Sequence, residues 1–529
     1  MRKIYLLLIL TLSAAMTACV MDKGNYDLVD VNDVEIEGIE ESYSLMAKQE
    51  TLEIPITLKG TLSGASTEGF EFEWFICSGA LSASDHKHTT ISKDKDLVFP
   101  LDIAPGTYTI YCRVTDTTTK MQFEKYTTLV ASSPYTRGFY IYGDKADGTV
   151  GMDFLSMIPE RDSVVIPNVF NNSKGIKGAE DLIFTGNYYN PANVSLWAVT
   201  ADGSYSLEFE SSLSEFNIRE DVNPDNFLFP QVPVKKPIKV VDVHPHAWGP
   251  TCYNASSSRR YLFTEESGMY YASIIGGEYY GNPVSCYTVG SSDLVNISKY
   301  SFYKASSSFV SALGFYDKTN KRFVRPNGYT MTCLAAYTEK ATDPFNCDQK
   351  SYTPERDLVY GENGQGNAGR SYALMSDTDG NYYVYCFVIA SYTATGMTKQ
   401  LARQIDLSVA KGFDKASQYT FFSYQPIVLY SVGNELWGYN YYTNTAELLK
   451  TFDADITYLR MDYHSGGNPT DFIVATWSSA EKGTIRKFEI GNSPDVIVIR
   501  EKDYEYETEH YPWKTDLKVV KMEYRYCTL

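Results

Sequence analysis

Residues 132–148 read SSPYTRGFYIYGDKADG, and this stretch decides the fold. Upstream of it a compact run of short β-type segments ends in KYTTLVAS (125–132). Downstream, one theme recurs to the C-terminus: an apolar strand, a tight turn, then an aromatic-rich strand. Within the stretch, Phe139-Tyr140-Ile141-Tyr142 and the turn Asp147-Gly148 are its first statement. The theme returns at Val194–Thr200 with Asp202-Gly203, Tyr261–Thr264 with Ser267-Gly268, and Ser311–Tyr316 with Thr319-Asn320. It returns again at Tyr372–Ser376 with Asp379-Gly380, Ile427–Ser431 with Gly433-Asn434, and Phe472–Trp477 with Lys482-Gly483. Asp-Gly and Ser-Gly pairs supply the positive φ angles that two-residue hairpins require. The spacing, roughly 45–67 residues, suits four-stranded blades with variable loops. Leu517–Tyr526 (LKVVKMEYRY) is a strand with no hairpin partner of its own, and placed against the first blade it closes a ring and removes its edges. Residues 133–529 therefore read as a β-propeller of seven blades, with six or eight as the neighbouring counts.

Residues 41–132 read as an antiparallel β-sandwich. Glu50–Leu58, Phe70–Cys77, Asp96–Pro100, Gly106–Thr115 and Met121–Val130 are short, alternating and separated by Gly, Ser, Thr and Asp. Trp74 and the run PGTYTIYCRVTD (105–116) are its most diagnostic parts. Strand parity places Cys112 on the apolar face with Ile110 and Val114, and Cys77 on the opposite face with Glu71 and Glu73, so no bridge between them is expected. The other cysteines lack any CxxC spacing. Residues 19–40 are acidic and polar and read as a tether.

At the N-terminus, Arg2 and Lys3 precede the apolar run Ile4–Leu12 and the small-residue end SAAMTAC (13–19). The run is too short to cross a bilayer, and the pattern is that of an export signal over residues 1–18. Met16-Thr17-Ala18-Cys19 resembles the lipobox of bacterial lipoproteins, which implies lipidation of Cys19 and permanent membrane attachment. Val20, rather than Asp, after the Cys resembles lipoproteins sent to the outer membrane. Without residues 1–18 the formal charge is 45 − 65 = −20. Such a surface repels nucleic acid and anionic lipid.

The layout of 105–116 resembles the late strand of PKD and related immunoglobulin-like modules. A lipobox Cys, Asp22-Lys23-Gly24-Asn25-Tyr26-Asp27 soon after it, such a module, and then Pro134-Tyr135-Thr136-Arg137-Gly138-Phe139 together resemble the PKD-like family lipoproteins of Bacteroidetes. Phe139 stands where Trp is expected. The resemblance implies a surface or periplasmic lipoprotein associated with nutrient uptake, and it brings no catalytic residues.

No nucleophile elbow, HExxH, P-loop or dinucleotide fingerprint occurs, and no cofactor is expected. His244-Pro245-His246 has the parity of a metal-ligand pair, but no third His lies nearby, and the pair reads as a loop entering the third blade. His86 and His88 sit in a polar turn. Asp377-Thr378-Asp379-Gly380-Asn381 lacks the terminal Glu of a calcium loop and reads as turn chemistry. Trp248, Tyr279, Tyr280, Trp437, Tyr441 and Tyr442 lie in or beside Gly/Asn-rich stretches, where exposed rings could stack on sugars or peptide side chains; most tyrosines are expected instead to fill inter-blade cores.

The expectation is a non-catalytic, lipid-anchored outer-membrane protein whose propeller binds a glycan, a peptide or an outer-membrane receptor partner. Two alternatives stand beside it: a propeller hydrolase or lyase acting on polysaccharide through paired carboxylates, and a structural envelope component.

Overall fold

The computed structural model describes residues 31–526, except 79–87, 159–160, 186–194, 211–214, 245, 247–258, 267, 274–278, 304–312, 329–330, 349–354, 390–395, 464–468, 492, 494–495 and 507–509. The chain divides into two compact units, Met1–Ser133 and Pro134–Leu529.

The first unit is a β-sandwich. Its larger sheet has the strand order Ser42–Met46, Gln122–Ser132, Gly106–Asp116, Phe70–Ser78, Thr89–Ser92, with the first pair parallel and the others antiparallel. Val34–Glu37 pairs Thr57–Gly60, and Thr51–Ile54 pairs Leu97–Pro100. One core joins them, built on Trp74, Ile110, Cys112, Val114 and Leu129. The Trp74 indole N–H donates to Asp94 O (3.1 Å), and the Tyr108 hydroxyl donates to Ala104 O four residues upstream (2.8 Å), the corner expected of an immunoglobulin-like late strand.

Three readings of this unit need correction. The acidic segment 19–40 is not tether throughout: Val34 and Ile36 are buried in the sandwich core. Glu50–Leu58 is two strands in different sheets, because Pro55 has no N–H to continue a ladder. Cys77 keeps the face of Glu71 and Glu73, opposite to that of Cys112, but does not point out to solvent, for the Phe75–Tyr111 stack lies on that face and the thiol is buried. Its register partner is Thr109 while that of Cys112 is Trp74, and both thiols are free.

The second unit is a ring of sheets, seven among the described residues. Each hairpin read from sequence falls in a different one of them. The ring closes where Arg137–Asp144 pairs antiparallel with Lys518–Tyr526, from Arg137 opposite Tyr526 to Asp144 opposite Lys518. Gly143 permits this approach, since a Cβ there would lie 2.1 Å from Lys518 O. Gly138 (φ +148°) turns the chain into the strand, and a Cβ would meet Leu155 O at 1.9 Å.

Alternation along the strands explains the ring. In Phe139-Tyr140-Ile141-Tyr142, Tyr140 and Tyr142 enter the core shared with the second sheet. Phe139 and Ile141 enter the core shared with the seventh. A strand buried on both faces must be apolar at every position. The same arrangement repeats between each neighbouring pair of sheets, giving a separate core at every junction. The junction between the seventh and first sheets is closed by Val519, Met522 and Tyr524 from the C-terminal strand.

Candidate functional site: a charged central cavity

The innermost segments of all seven sheets surround one cavity of about 570 Å³. They are Lys518–Tyr526, Ala179–Thr185, Val240–His244, residues 297–303, Asp357–Asn363, Gln418–Phe422 and Asp455–Met461. The size falls within the range of small-molecule sites.

Five of these segments carry the same irregularity. A single extra residue interrupts the pairing at Glu180, Val241, Val359, Thr457 and Val520. A one-residue bulge re-aims the side chains that follow it. The residues that follow are Asp181, Asp242, Tyr360, Tyr458 and Lys521, and all line the cavity. Asp181 and Asp242 occupy equivalent places in neighbouring sheets, and each carboxylate accepts the N–H of its successor, at 2.9 and 2.8 Å. Every second residue then faces inward: His244 and His246 after Asp242, Glu362 after Tyr360, Arg460 and Asp462 after Tyr458, and Glu523 after Lys521.

The charges are joined in chains. Lys521 Nζ lies 3.0 Å from Asp181 Oδ1 and 3.3 Å from Glu523, and Lys299 Nζ lies 3.2 Å from Asp181 Oδ2. Burial pushes the Asp181 pKa up, but the two lysines outweigh it and hold the carboxyl below its ordinary value. Across the cavity, Arg460 Nε lies 3.7 Å from Glu362, and its guanidinium bonds the Tyr360 hydroxyl. Glu362 also accepts from Phe421 N–H (2.8 Å), Thr420 Oγ1 (3.0 Å) and the Tyr360 hydroxyl (3.1 Å). Arg460 remains 42% exposed although it projects into the interior, so solvent enters the cavity.

The third sheet contributes the tightest group. Asp242 Oδ2 lies 3.0 Å from His244 Nε2, and Oδ1 lies 2.6 Å from His246 Nε2. The two imidazoles stack with centroids 4.5 Å apart. His244 Nε2 also faces Lys299 O at 2.7 Å, and Nδ1 meets Ser301 Oγ at 2.8 Å. Two acceptors at Nε2 place the proton there, so Nδ1 accepts from the Ser301 hydroxyl. Burial opposes ionisation of Asp242, yet the two histidines outweigh it and hold the carboxyl well below the usual range.

The reason given in sequence for discounting His244 and His246, the want of a third ligand, does not hold. Asp242 supplies it, and the ligating atoms of the three lie within 4.8 Å of one another. His244 belongs to a strand rather than to a loop. The alternation Asp242-x-His244-x-His246 was present in the sequence as the signal that a search for histidines alone passes over.

The six aromatic residues singled out in sequence do not converge here. Tyr280 and Tyr441 are buried, the first in the core between the second and third sheets, the second in that between the fifth and sixth. Trp437 is half-buried, stacks on Tyr430, and donates to Glu435 at 2.9 Å. Tyr279 and Tyr442 are exposed, lie outside the strands and are not part of the cavity lining, standing beside Phe229 and Arg403 respectively. Trp248 lies outside the described residues, as does Cys19. The rings that face the cavity are others, among them Tyr300, Tyr303, Tyr360, Tyr458 and Tyr463. At Asp377, both carboxylate oxygens are engaged by hairpin donors, including Asn381 N–H (2.9 Å) and the Tyr383 hydroxyl (2.8 Å). Asp317 caps the equivalent turn of the fourth sheet in the same way.

Comparison with known proteins matches residues 19–180 to the PKD-like family. The match runs through the sandwich and three of the four strands of the ring's first sheet to the start of the second, without the closing strand Lys518–Tyr526. No curated protein matches the chain. Among solved structures, a quinonprotein alcohol dehydrogenase-like protein from Bacteroides thetaiotaomicron is 11% identical, covering 90% of this chain and 97% of that one at a TM-score of 0.33. The extracellular domain of a putative one-component system from the same organism is 10% identical, covering 74% and 52%, with a TM-score of 0.35. The β-propeller domain of Cps50 (Swd1) from Myceliophteria thermophila is 9% identical, covering 65% and 94%, with a TM-score of 0.34. Likeness at this level says nothing of what this chain binds.

Proposed function

We propose that the chain, whose residues 19–180 match the PKD-like family, is a non-catalytic lipoprotein of the cell envelope whose ring binds a carbohydrate in its central cavity. The observation that carries this reading is the convergence of tyrosine faces and paired charges from all seven sheets on one solvent-reached space. The charge pairing argues for the ligand class. Asp181, Glu362 and Glu523 already have cationic partners. A strongly charged ligand would have to compete with those pairs for the same groups. A polyhydroxylated ligand can take the remaining hydrogen-bonding capacity and stack on the rings.

The lipobox supports lipidation of Cys19 and Val20 supports delivery to the outer membrane, and the family resemblance supports a role in nutrient uptake beside a receptor partner. Paired-carboxylate hydrolysis has less support. Such chemistry needs one carboxyl kept protonated as the acid, whereas Asp181 and Asp242 are both held ionised. A purely structural envelope role would leave the inward charges without a use.

A glycan array probed with the chain from residue 20 onward tests the reading. Retention of one class of oligosaccharide is expected, and silence across plant, host and microbial glycans would overturn it.

A further inference from the structure

We propose that Asp242, His244 and His246 form a binding site for one divalent transition-metal ion of the zinc class, held in the central cavity with positions left open toward it. Two neutral imidazole nitrogens and one carboxylate are the donor set that suits such ions, and three protein ligands with an open position mark a site that presents its ion to a further molecule rather than a closed structural one. Among the described residues this is the one group of three ligating side chains so drawn together.

The local architecture is that of a built site. The bulge at Val241 aims Asp242 inward, and alternation brings His244 to the same side. Asp242 and His244 are almost wholly buried, while His246 keeps 25% of its side chain exposed toward the cavity. Lys299 O, 2.7 Å from His244 Nε2, stands beside the three as a further oxygen.

The ion would replace hydrogen bonds that point the right way. The carboxylate oxygens now stand 3.0 and 2.6 Å from the two Nε2 atoms. Donors bonded to one tetrahedral ion at about 2.0–2.1 Å stand about 3.3 Å apart. These two oxygen–nitrogen separations, made to different oxygens of Asp242, therefore fall short of that spacing by less than about 1 Å, and all the ligating atoms of the group lie within 4.8 Å of one another. When Nε2 of His244 turns to the metal, its proton moves to Nδ1, which then donates to Ser301 Oγ, already 2.8 Å away. The Nε2 proton that His246 gives to Asp242 passes to solvent or to the ring's own Nδ1 as Nε2 takes the ion. A hydrogen bond from the far ring nitrogen is the usual support of a ligating histidine. The ammonium groups of Lys299 and Lys521, which also line the cavity, are ion-paired with Asp181.

The test is titration of the chelator-treated full chain with Co(II), followed by visible ligand-field absorption. The expected result is a saturable 1:1 spectrum of a four- or five-coordinate ion, displaced by Zn(II). The spectrum is lost in Asp242→Asn and in His246→Ala, with melting curves establishing that both variants are folded. Because Asp242 is buried, the more exposed His246→Ala decides if Asp242→Asn does not fold. Absence of a saturable spectrum, or its persistence at wild-type strength in His246→Ala, would overturn the proposal. The readout needs no carbohydrate, so a failure here leaves the binding reading standing, and failure on the glycan array leaves the metal site standing.

Discussion

Tyr142 stands opposite Lys521 across the strand pair that closes the ring, and the next pair in register is Gly143 with Val519, so Val520 is the extra residue. One bulge thus does two things. It lets Lys521 reach Asp181 on the neighbouring sheet, and it leaves Val519, Met522 and Tyr524 seated in the core shared with the last sheet.

The closing strand should carry a large share of the ring's stability. Met522→Ala removes a buried side chain at the seam and is expected to cost about 2–5 kcal/mol. The loss is expected in the melting transition of the ring alone, because the sandwich has its own core. Calorimetry of the variant checks it, and an unchanged ring transition would speak against a load-sharing seam.

Trp74→Ala makes the complementary case. The side chain is fully buried and its indole N–H is bonded to Asp94 O, so truncation is expected to cost about 3–5 kcal/mol. Only the sandwich transition should move.

Asp153 gives a pH signature outside the cavity. Burial pushes its pKa up, against hydrogen bonds from Thr515 Oγ1 (2.5 Å) and Asn168 N–H (2.8 Å). A carboxyl with a raised folded-state pKa contributes stability that is fully present below the unfolded value, about 3.9, and is lost as pH rises through the folded one. Asp153→Asn keeps the acceptor for Asn168 and never ionises. It is expected to raise the melting temperature at pH 7 and to lose that advantage near pH 3.5. An advantage independent of pH would contradict the assignment.

Lipidation rests on the sequence motif alone. Cys19→Ser is expected to abolish incorporation of labelled palmitate and to release the protein from the membrane fraction. Labelling that survives the substitution would place the anchor elsewhere.

The ring was legible in sequence because several of its middle strands hold near-continuous apolar runs and its hairpins end in residues that tolerate positive φ. Phe139–Tyr142 and Asp147-Gly148 show both features. The cavity was not legible, since a strand becomes innermost only once the ring has closed, and the bulges that aim Asp181, Asp242 and Lys521 leave no local mark. A weaker signal existed: Asp242-x-His244-x-His246 and Tyr458-x-Arg460-x-Asp462 place polar residues at every second position of otherwise apolar strands. Of the aromatic residues, Tyr279 and Tyr442 are exposed as their Gly and Asn neighbours suggest, but Tyr280 and Tyr441 are not. Tyr280 is instead held by main-chain pairing with Leu228 and Phe229, and the Tyr441 N–H is bonded to Pro426 O.

The most direct measurement is calorimetric titration of the chain with the oligosaccharide retained on the array, comparing Arg460→Ala and Tyr300→Ala with Tyr279→Ala and Tyr442→Ala. A central binding site predicts a loss of at least about tenfold in affinity, about 1.4 kcal/mol, for the first two and none for the others. Full affinity in both cavity variants, with binding lost on truncation of Tyr279 or Tyr442, would contradict it.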